Sequence, residues 1–580
     1  MKNCENPGVP GTYIWRDDYQ SVWRRNMNEF SILIGGKAGD GINSAGLTIA
    51  QVLNRIGYRV YMYFDYPSLI KGGHNFCIIR ASEEKIGAHR DRCDFLLALN
   101  QDTVDLHRDL TGPDTVVIFD SSRVVNERGT AIPVTDILSG ESAPAIMGNS
   151  CIIGAFASAA GISWDALETV FRRHIPKGLE LNLKVAEKGY RLATEKKKIG
   201  EIHADEHPVL SGNEAIALGL CDGGLDTYIA YPMTPTSNVL HVLAGLADDL
   251  GVTVVHPENE IAVMLMALGS AYAGKKTAVG TSGGGFCLMT EGFSLSGMSE
   301  VPVVVVMGQR TGPSTGVPTY TAQSDLNFMR YAGQGEFPRF IVAPGDTEEA
   351  FAWSSAAVKI AWKCQVPAII LVDKTLCEGT YSYSPGTQEL PEIIPLPAGE
   401  TTMPGNAGYK RYAYSDTGVS PMIFPPVKDA VIKVNGYAHD EAGITTEQAE
   451  FIAGMAEKRI KKQKFLEKEV FSLPGVNTGG NAGSHDALVC WGSNKGVCLE
   501  VAEKLGIRMV QPVVLSPFPK IQVMDALSGI ERCIVVEDST TGQLPQLLAC
   551  HGIAVHHTIL KYDGRPFSVE GLERKVREVL

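Results

Sequence analysis

None of the twelve cysteines stands in a Cys-x-x-Cys pair, and they are scattered from Cys4 to Cys550. That spacing excludes an obvious zinc or iron–sulfur framework within the chain and fits free thiols in a reducing cytoplasm. Long apolar runs are missing too. The one uncharged span near membrane length, residues 142–164, is broken by Asn, Ser and Gly and reads as a buried helix rather than a membrane span. Residues 1–29 hold charges of both signs and no apolar stretch, which argues against a secretory signal. Positive charge is in deficit: 52 basic against 65 acidic residues leave −13, unlike a binder of nucleic acid or anionic membrane.

Glycine, by contrast, is plentiful, and its 61 residues gather where apolar runs give way to helical patterns. A chain of 580 residues exceeds one core, so about three to four domains are expected. After an extension at 1–29, the block 30–195 offers strands at 30–34, 59–65, 76–81, 95–99 and 115–120. A helix follows the first of them, and more helical pattern lies between 150 and 195. A charged linker covers 193–208. The block 210–380 repeats the alternation, with "TAVGTSGGG", "VPVVVVMGQR" and "PAIILVD" as strands running into loops. Residues 381–480 are rich in Pro and Gly, then form a helix whose capping box runs from Thr445 to Gln448 and whose charges read as a solvated face. A last α/β block occupies 485–580. The fold class is therefore α/β: three doubly wound, mostly parallel domains, with ligands at the carboxyl ends of strands.

The turn "GGKAGDGINSAG" at 35–46 joins a strand to a helix and can present backbone N–H groups to phosphate. Gly39 and Gly41 fit the first part of a dinucleotide fingerprint, Ser44 replaces its third glycine, and Asp65 could serve as the ribose acid. Glycines that only let helix and strand pack closely remain the alternative. "GDG" also begins the thiamine diphosphate motif. No Asn pair follows to complete Mg²⁺ ligation, so this chain alone holds no metal site of that kind.

In the second block, "YPMTPTS" (231–237), "ENEIAVMLMALGSAYAG" (258–274), "TSGGGFCLM" (281–289) and "GQRTGPSTGVPTYTAQSDL" (308–326) follow one another. Together they resemble the α subunit of the 2-oxoacid:ferredoxin oxidoreductases, most closely the 2-oxoglutarate enzymes. "GGKAGDGINSAG" and "YPSLIKGGHNFCIIRAS" resemble that family's γ domain, fused here in front, and "CIVVEDSTTGQLPQLL" (533–548) its transketolase C-terminal-like domain. The resemblance implies oxidative decarboxylation of a 2-oxoacid on thiamine diphosphate, with coenzyme A taking the acyl group and ferredoxin the electrons. It further implies a β subunit that holds the diphosphate, Mg²⁺ and a [4Fe–4S] cluster, an α2β2 assembly in the cytoplasm, and no activity of this chain alone.

Thiamine chemistry needs an acid against N1′ of the aminopyrimidine, and a carboxylate facing an apolar pocket suits this because desolvation strengthens a shared proton. By resemblance that acid is Glu260; Glu258 reads as a first-turn residue answering the helix dipole, in a helix opened by Pro257. Thr234, Arg310 and Thr319 match substrate-binding positions, with Arg310 offering a planar fork to a carboxylate. Lys71 resembles a family position near coenzyme A phosphates, with a solvated loop lysine as the alternative, and Asp416 belongs to a loop able to approach the site. Two departures stand out: Gly285 replaces the commoner residue of its turn, and "NGYAHDE" lacks the usual acid before His439. Other readings are a branched-chain 2-oxoacid, pyruvate or indolepyruvate enzyme, a nucleotide-binding module built on 30–195, and a structural subunit beside a self-sufficient partner.

Overall fold

The computed structural model describes residues 29–67, 73–200, 202, 204–394, 408–428 and 430–580. The apolar run before Gln309 lies in a strand, Val304–Gln309, with every residue buried. It sits inside a seven-stranded sheet ordered Val514–Ser516, Phe340–Val342, Ala368–Asp373, Val304–Gln309, Thr277–Ser282, Thr227–Ala230, Thr253–Val255. All neighbours are parallel except the first pair. Parallel strands end at a common edge, and register pairs Ser282 with Gly308 and Gly280 with Ala230. The loops after Ala230 and Gln309 therefore leave side by side with the segment after Ser282, where the expected glycine-rich loop is instead the first turn of the helix Gly283–Ser299.

The first sheet has eight strands in the order Thr130–Ile132, Val116–Asp120, Phe95–Ala98, Glu29–Lys37, His74–Ser82, Arg59–Asp65, Thr380–Ser382, Val209–Ser211. It is parallel as far as Glu29–Lys37 and antiparallel beyond. Few residues join Asp65 to His74, too few for a parallel crossover, so these strands form a hairpin arm. Strands from the second block, 209–211 and 380–382, extend the same sheet. The 142–164 span contains the buried helix Gly148–Ala159. Among the described residues no helix is long and apolar enough to cross a membrane, and every described cysteine is free.

The third sheet runs Val476–Gly480, Arg508–Pro512, Asp486–Val489, Arg532–Glu537, His557–Leu560, parallel apart from its first strand. The helix expected from Thr445 begins at Ala449 instead, because Thr445 bridges His439 and accepts a hydrogen bond from Asn435. Nor is the charge run of this helix, Ala449–Phe471, wholly solvated. Lys458 and Lys462, one helical turn apart, are buried and grip Glu300 at 2.6 and 2.5 Å. Burial opposes the charge of Glu300, yet Lys462 and Lys458 hold its carboxyl well below the usual range. The same burial pulls Lys462 down to about 7. This triad fastens the helix to the second block.

Candidate functional site

The acids before the long apolar helix separate once folded. The helix runs Glu260–Tyr272, and Asn259 caps it, its side-chain oxygen accepting from Ala262 N at 2.9 Å. Pro257 lies in the preceding turn rather than in the helix. Glu258 is exposed, whereas Glu260 is buried at 6%. A Cβ on Gly285 would come within 3.0 Å of Glu260 Oε1 and 2.3 Å of Thr281 Oγ1, so the unusual glycine makes room for the carboxylate. Among the described residues Glu260 makes no hydrogen bond or ion pair. The carboxylate is thus left open to a donor from outside the chain.

Arg310 follows the central strand directly, and its Nη1 donates to the Thr234 carbonyl at 3.0 Å, joining the two loops at the edge. Burial lowers the pKa of Arg310, with Asp325 opposing. Thr319 is buried, and its hydroxyl finds no partner among the described residues. The structure thus brings Thr234 and Arg310 into contact and carries Arg310 and Thr319 on one loop, while Glu260 stands against Gly285 in the helix that follows the adjoining strand.

Sequence reasoning missed three more groups here. Gln309, the last residue of the buried strand, accepts from Asp325 N at 3.0 Å and leaves its Nε2 without a partner. Ser282, ahead of the glycine turn, is buried with an unpartnered hydroxyl. Asp325 lies 3.2 Å from where a Cβ on Gly283 would be, and burial pushes its pKa up to about 6 against the pull of Arg310. The available signal was a polar residue closing an otherwise apolar strand, as Gln309 does.

Asp40 shapes the glycine-rich turn of the first block. Gly39 and Gly41 both take positive φ, and the Asp40 carboxylate accepts from Lys37 N and pairs with Arg123, each at 3.0 Å. Lys71 lies outside the described residues. Asp65 is buried, accepts from Tyr63 Oη at 2.7 Å and faces Arg565 at 3.9 Å, so it is not free to hold a ribose. An antiparallel strand also separates it from Glu29–Lys37, where a dinucleotide fold needs direct parallel neighbours. The nucleotide-module reading loses its geometry on both counts. Asp416 is exposed on a turn whose Gly418 packs against Lys458 and Lys462.

Thiamine diphosphate fits the residues present: Glu260 offers a carboxylate with no partner in the described chain, and apolar side chains are open beside it. Ile261 and Leu265 on its own helix, and Leu288 on the helix Gly283–Ser299, are each about half exposed. No group of three or more ligating side chains gathers among the described residues to hold a metal ion.

Family models match two stretches: "Pyruvate ferredoxin/flavodoxin oxidoreductase" over residues 31–192, and "Pyruvate flavodoxin/ferredoxin oxidoreductase, thiamine diP-bdg" over 219–458. The 2-oxoacid:ferredoxin oxidoreductase subunit alpha of Sulfolobus sp is 30% identical, over 95% of this chain and 97% of that one. The 2-oxoglutarate synthase subunit KorA of Archaeoglobus fulgidus is 36% identical across 29% of this chain and 49% of its own. Among solved structures, the 2-oxoglutarate:ferredoxin oxidoreductase from Magnetococcus marinus, with 2-oxoglutarate, coenzyme A and succinyl-CoA bound, aligns with a TM-score of 0.85. That alignment has 28% identity and covers 95% of this chain and 99% of that one. Sequence and fold agree across almost the whole length: the chain belongs to the 2-oxoacid:ferredoxin oxidoreductase family and is an α subunit with a thiamine-diphosphate-binding region.

Proposed function

We propose that this subunit captures 2-oxoglutarate and activates thiamine diphosphate for a CoA-dependent oxidative decarboxylation to succinyl-CoA, CO2 and reduced ferredoxin. The observation that carries the reading is Glu260, a residue only 6% exposed whose carboxylate bonds to nothing in the described chain, beside the loops of Thr234, Arg310 and Thr319. The choice of 2-oxoglutarate is supported by the names of the Archaeoglobus relative and the Magnetococcus structure. A β subunit supplies the diphosphate grip, Mg²⁺ and a [4Fe–4S] cluster, and docks on the apolar face of Ile261, Leu265 and Leu288. The assembly is α2β2 and cytoplasmic.

Bound here, thiamine diphosphate supplies the electron sink that makes loss of CO2 possible. Glu260 holds a proton at N1′ of its aminopyrimidine, and the missing side chain at Gly285 leaves the carboxylate the room to do so. Arg310 fixes the carboxylate next to the reacting carbonyl, while its bond to the Thr234 carbonyl sets the plane of the guanidinium. Thr319 donates its otherwise unpartnered hydroxyl to the substrate. Gly39, Gly41 and Lys71 are assigned to coenzyme A, whose phosphates suit the N-terminus of helix Ile42–Arg55.

The test is reconstitution with the β subunit, followed by CoA-dependent reduction of ferredoxin or a viologen. The substrates compared are 2-oxoglutarate, pyruvate, branched-chain 2-oxoacids and indolepyruvate. Highest kcat/KM for 2-oxoglutarate is the expected result. No reduction with any of them, from an enzyme loaded with cluster and cofactor, defeats the reading.

A further inference from the structure

The loop that presents Arg310 and Thr319 is closed by its own bonds. Thr311 N donates to Tyr320 O at 3.0 Å, and Thr311 Oγ1 donates to Thr321 O at 2.9 Å. Those bonds shape the loop but do not anchor it to the rest of the molecule. Beyond the Arg310 bond to the Thr234 carbonyl, further anchorage comes from the other two sheets. After strand His557–Leu560 the chain turns, and Gly564 O accepts from Thr321 N at 2.9 Å. Gly564 has φ +81, and a Cβ there would lie 3.0 Å from Tyr320 Cβ, so the turn sits flush on the loop. The next residue, Arg565, places its guanidinium 4.7 Å over the Tyr320 ring and its Nε 3.9 Å from Asp65 Oδ2. Asp65 closes its strand in the first sheet and is held by Tyr63 Oη. The Tyr320 hydroxyl is raised by burial first and by the neighbouring Asp65 carboxylate second.

Residues of all three sheets therefore meet on Tyr320, the immediate neighbour of Thr319. As a source of stability the Asp65–Arg565 pair is weak, since it is long and Arg565 is half exposed. What it does is fix a ring whose backbone carries the substrate hydroxyl. We propose that Arg565 and Asp65 are positioning residues for oxoacid capture, clasping Tyr320 so that Thr319 is presented to the substrate carboxylate. The first and third sheets thereby set the affinity of a site built on the second. This rests on the substrate roles of Arg310 and Thr319 proposed above.

The test uses the enzyme assembled with its β subunit. Arg565→Ala and Asp65→Asn should each raise KM for the oxoacid about tenfold with kcat within about twofold, and the double variant should be no worse than either single. Arg565→Lys keeps the charge but not the planar stack, and should recover part of the lost affinity. A merely structural pair would lower the active fraction, hence kcat, and leave KM alone. KM unmoved, kcat falling at constant KM, or additive losses in the double variant each overturn the proposal. So does a rise in KM for 2-oxoglutarate but not for a monocarboxylic oxoacid, which would make Arg565 a direct ligand. If Asp65→Asn fails to assemble, Tyr320→Leu must show the same rise in KM. Arg310→Ala is run alongside. If it too leaves KM unmoved, the substrate site itself is misplaced; if it alone raises KM, only the clasp is refuted.

Discussion

Replacing Glu260 by glutamine removes the group that can exchange a proton and changes almost no volume. The residue is 6% exposed, lies against Gly285 and has no partner within the described chain. Rate and stability therefore respond very differently. Loss of a positioned proton-holding group costs about 10²- to 10⁴-fold in rate, or about 2.7–5.4 kcal/mol of barrier. Stability loses only about 0.3–1 kcal/mol of favourable helix-terminus interaction. Glu260→Gln should therefore lower kcat at least 100-fold, leave KM for the oxoacid nearly unchanged, and shift the Tm only slightly. The assay is steady-state, CoA-dependent viologen reduction by the reconstituted enzyme, paired with a melting curve of the same preparation. A kcat that survives within a few-fold would refute the reasoning, because the acid would then be ornamental. So would a large fall in Tm, which would show that Glu260 serves the fold.

Arg310→Ala removes the fork and its tie to the Thr234 carbonyl. KM for the oxoacid should rise steeply, by about 2–3 kcal/mol of lost charge-assisted bonding, with kcat less affected in the same assay. Asp325 binds its proton more tightly than an ordinary carboxyl, so above about 6 it adds negative charge beside Arg310. KM should therefore rise as pH climbs through that value, and Asp325→Asn should flatten the profile. The same shift means that the stability this residue contributes is full below the ordinary Asp range and lost as pH rises through about 6. Lys458→Met leaves Glu300 buried with Lys462 alone on the long helix. It should destabilise the chain by about 3 kcal/mol, seen as an earlier unfolding transition in calorimetry.

Some of this was legible without coordinates. A continuous apolar run ending in Gln309 and Arg310 must be a buried parallel strand, and a basic residue placed just past it must face the ligand edge. That the 142–164 span holds a buried helix was legible from its Asn, Ser and Gly among apolar residues, and Gly148–Ala159 is that helix. Glu258 and Glu260 also differ by two positions at a helix start, enough to send one outward and one inward.

Only the tertiary structure decided the rest, because it depends on residues far apart in the chain. Lys458 and Lys462 read as solvated charges until Glu300, some 160 positions away, closes on them. Asp65 reads as a nucleotide acid until Arg565, five hundred positions on, takes it for the clasp over Tyr320. Local pattern determines which residues form strands and which loops carry chemistry, since both follow from nearest-neighbour periodicity. Which distant charge neutralises which, and what holds a loop still, are long-range pairings with no local trace, and folding alone settles them.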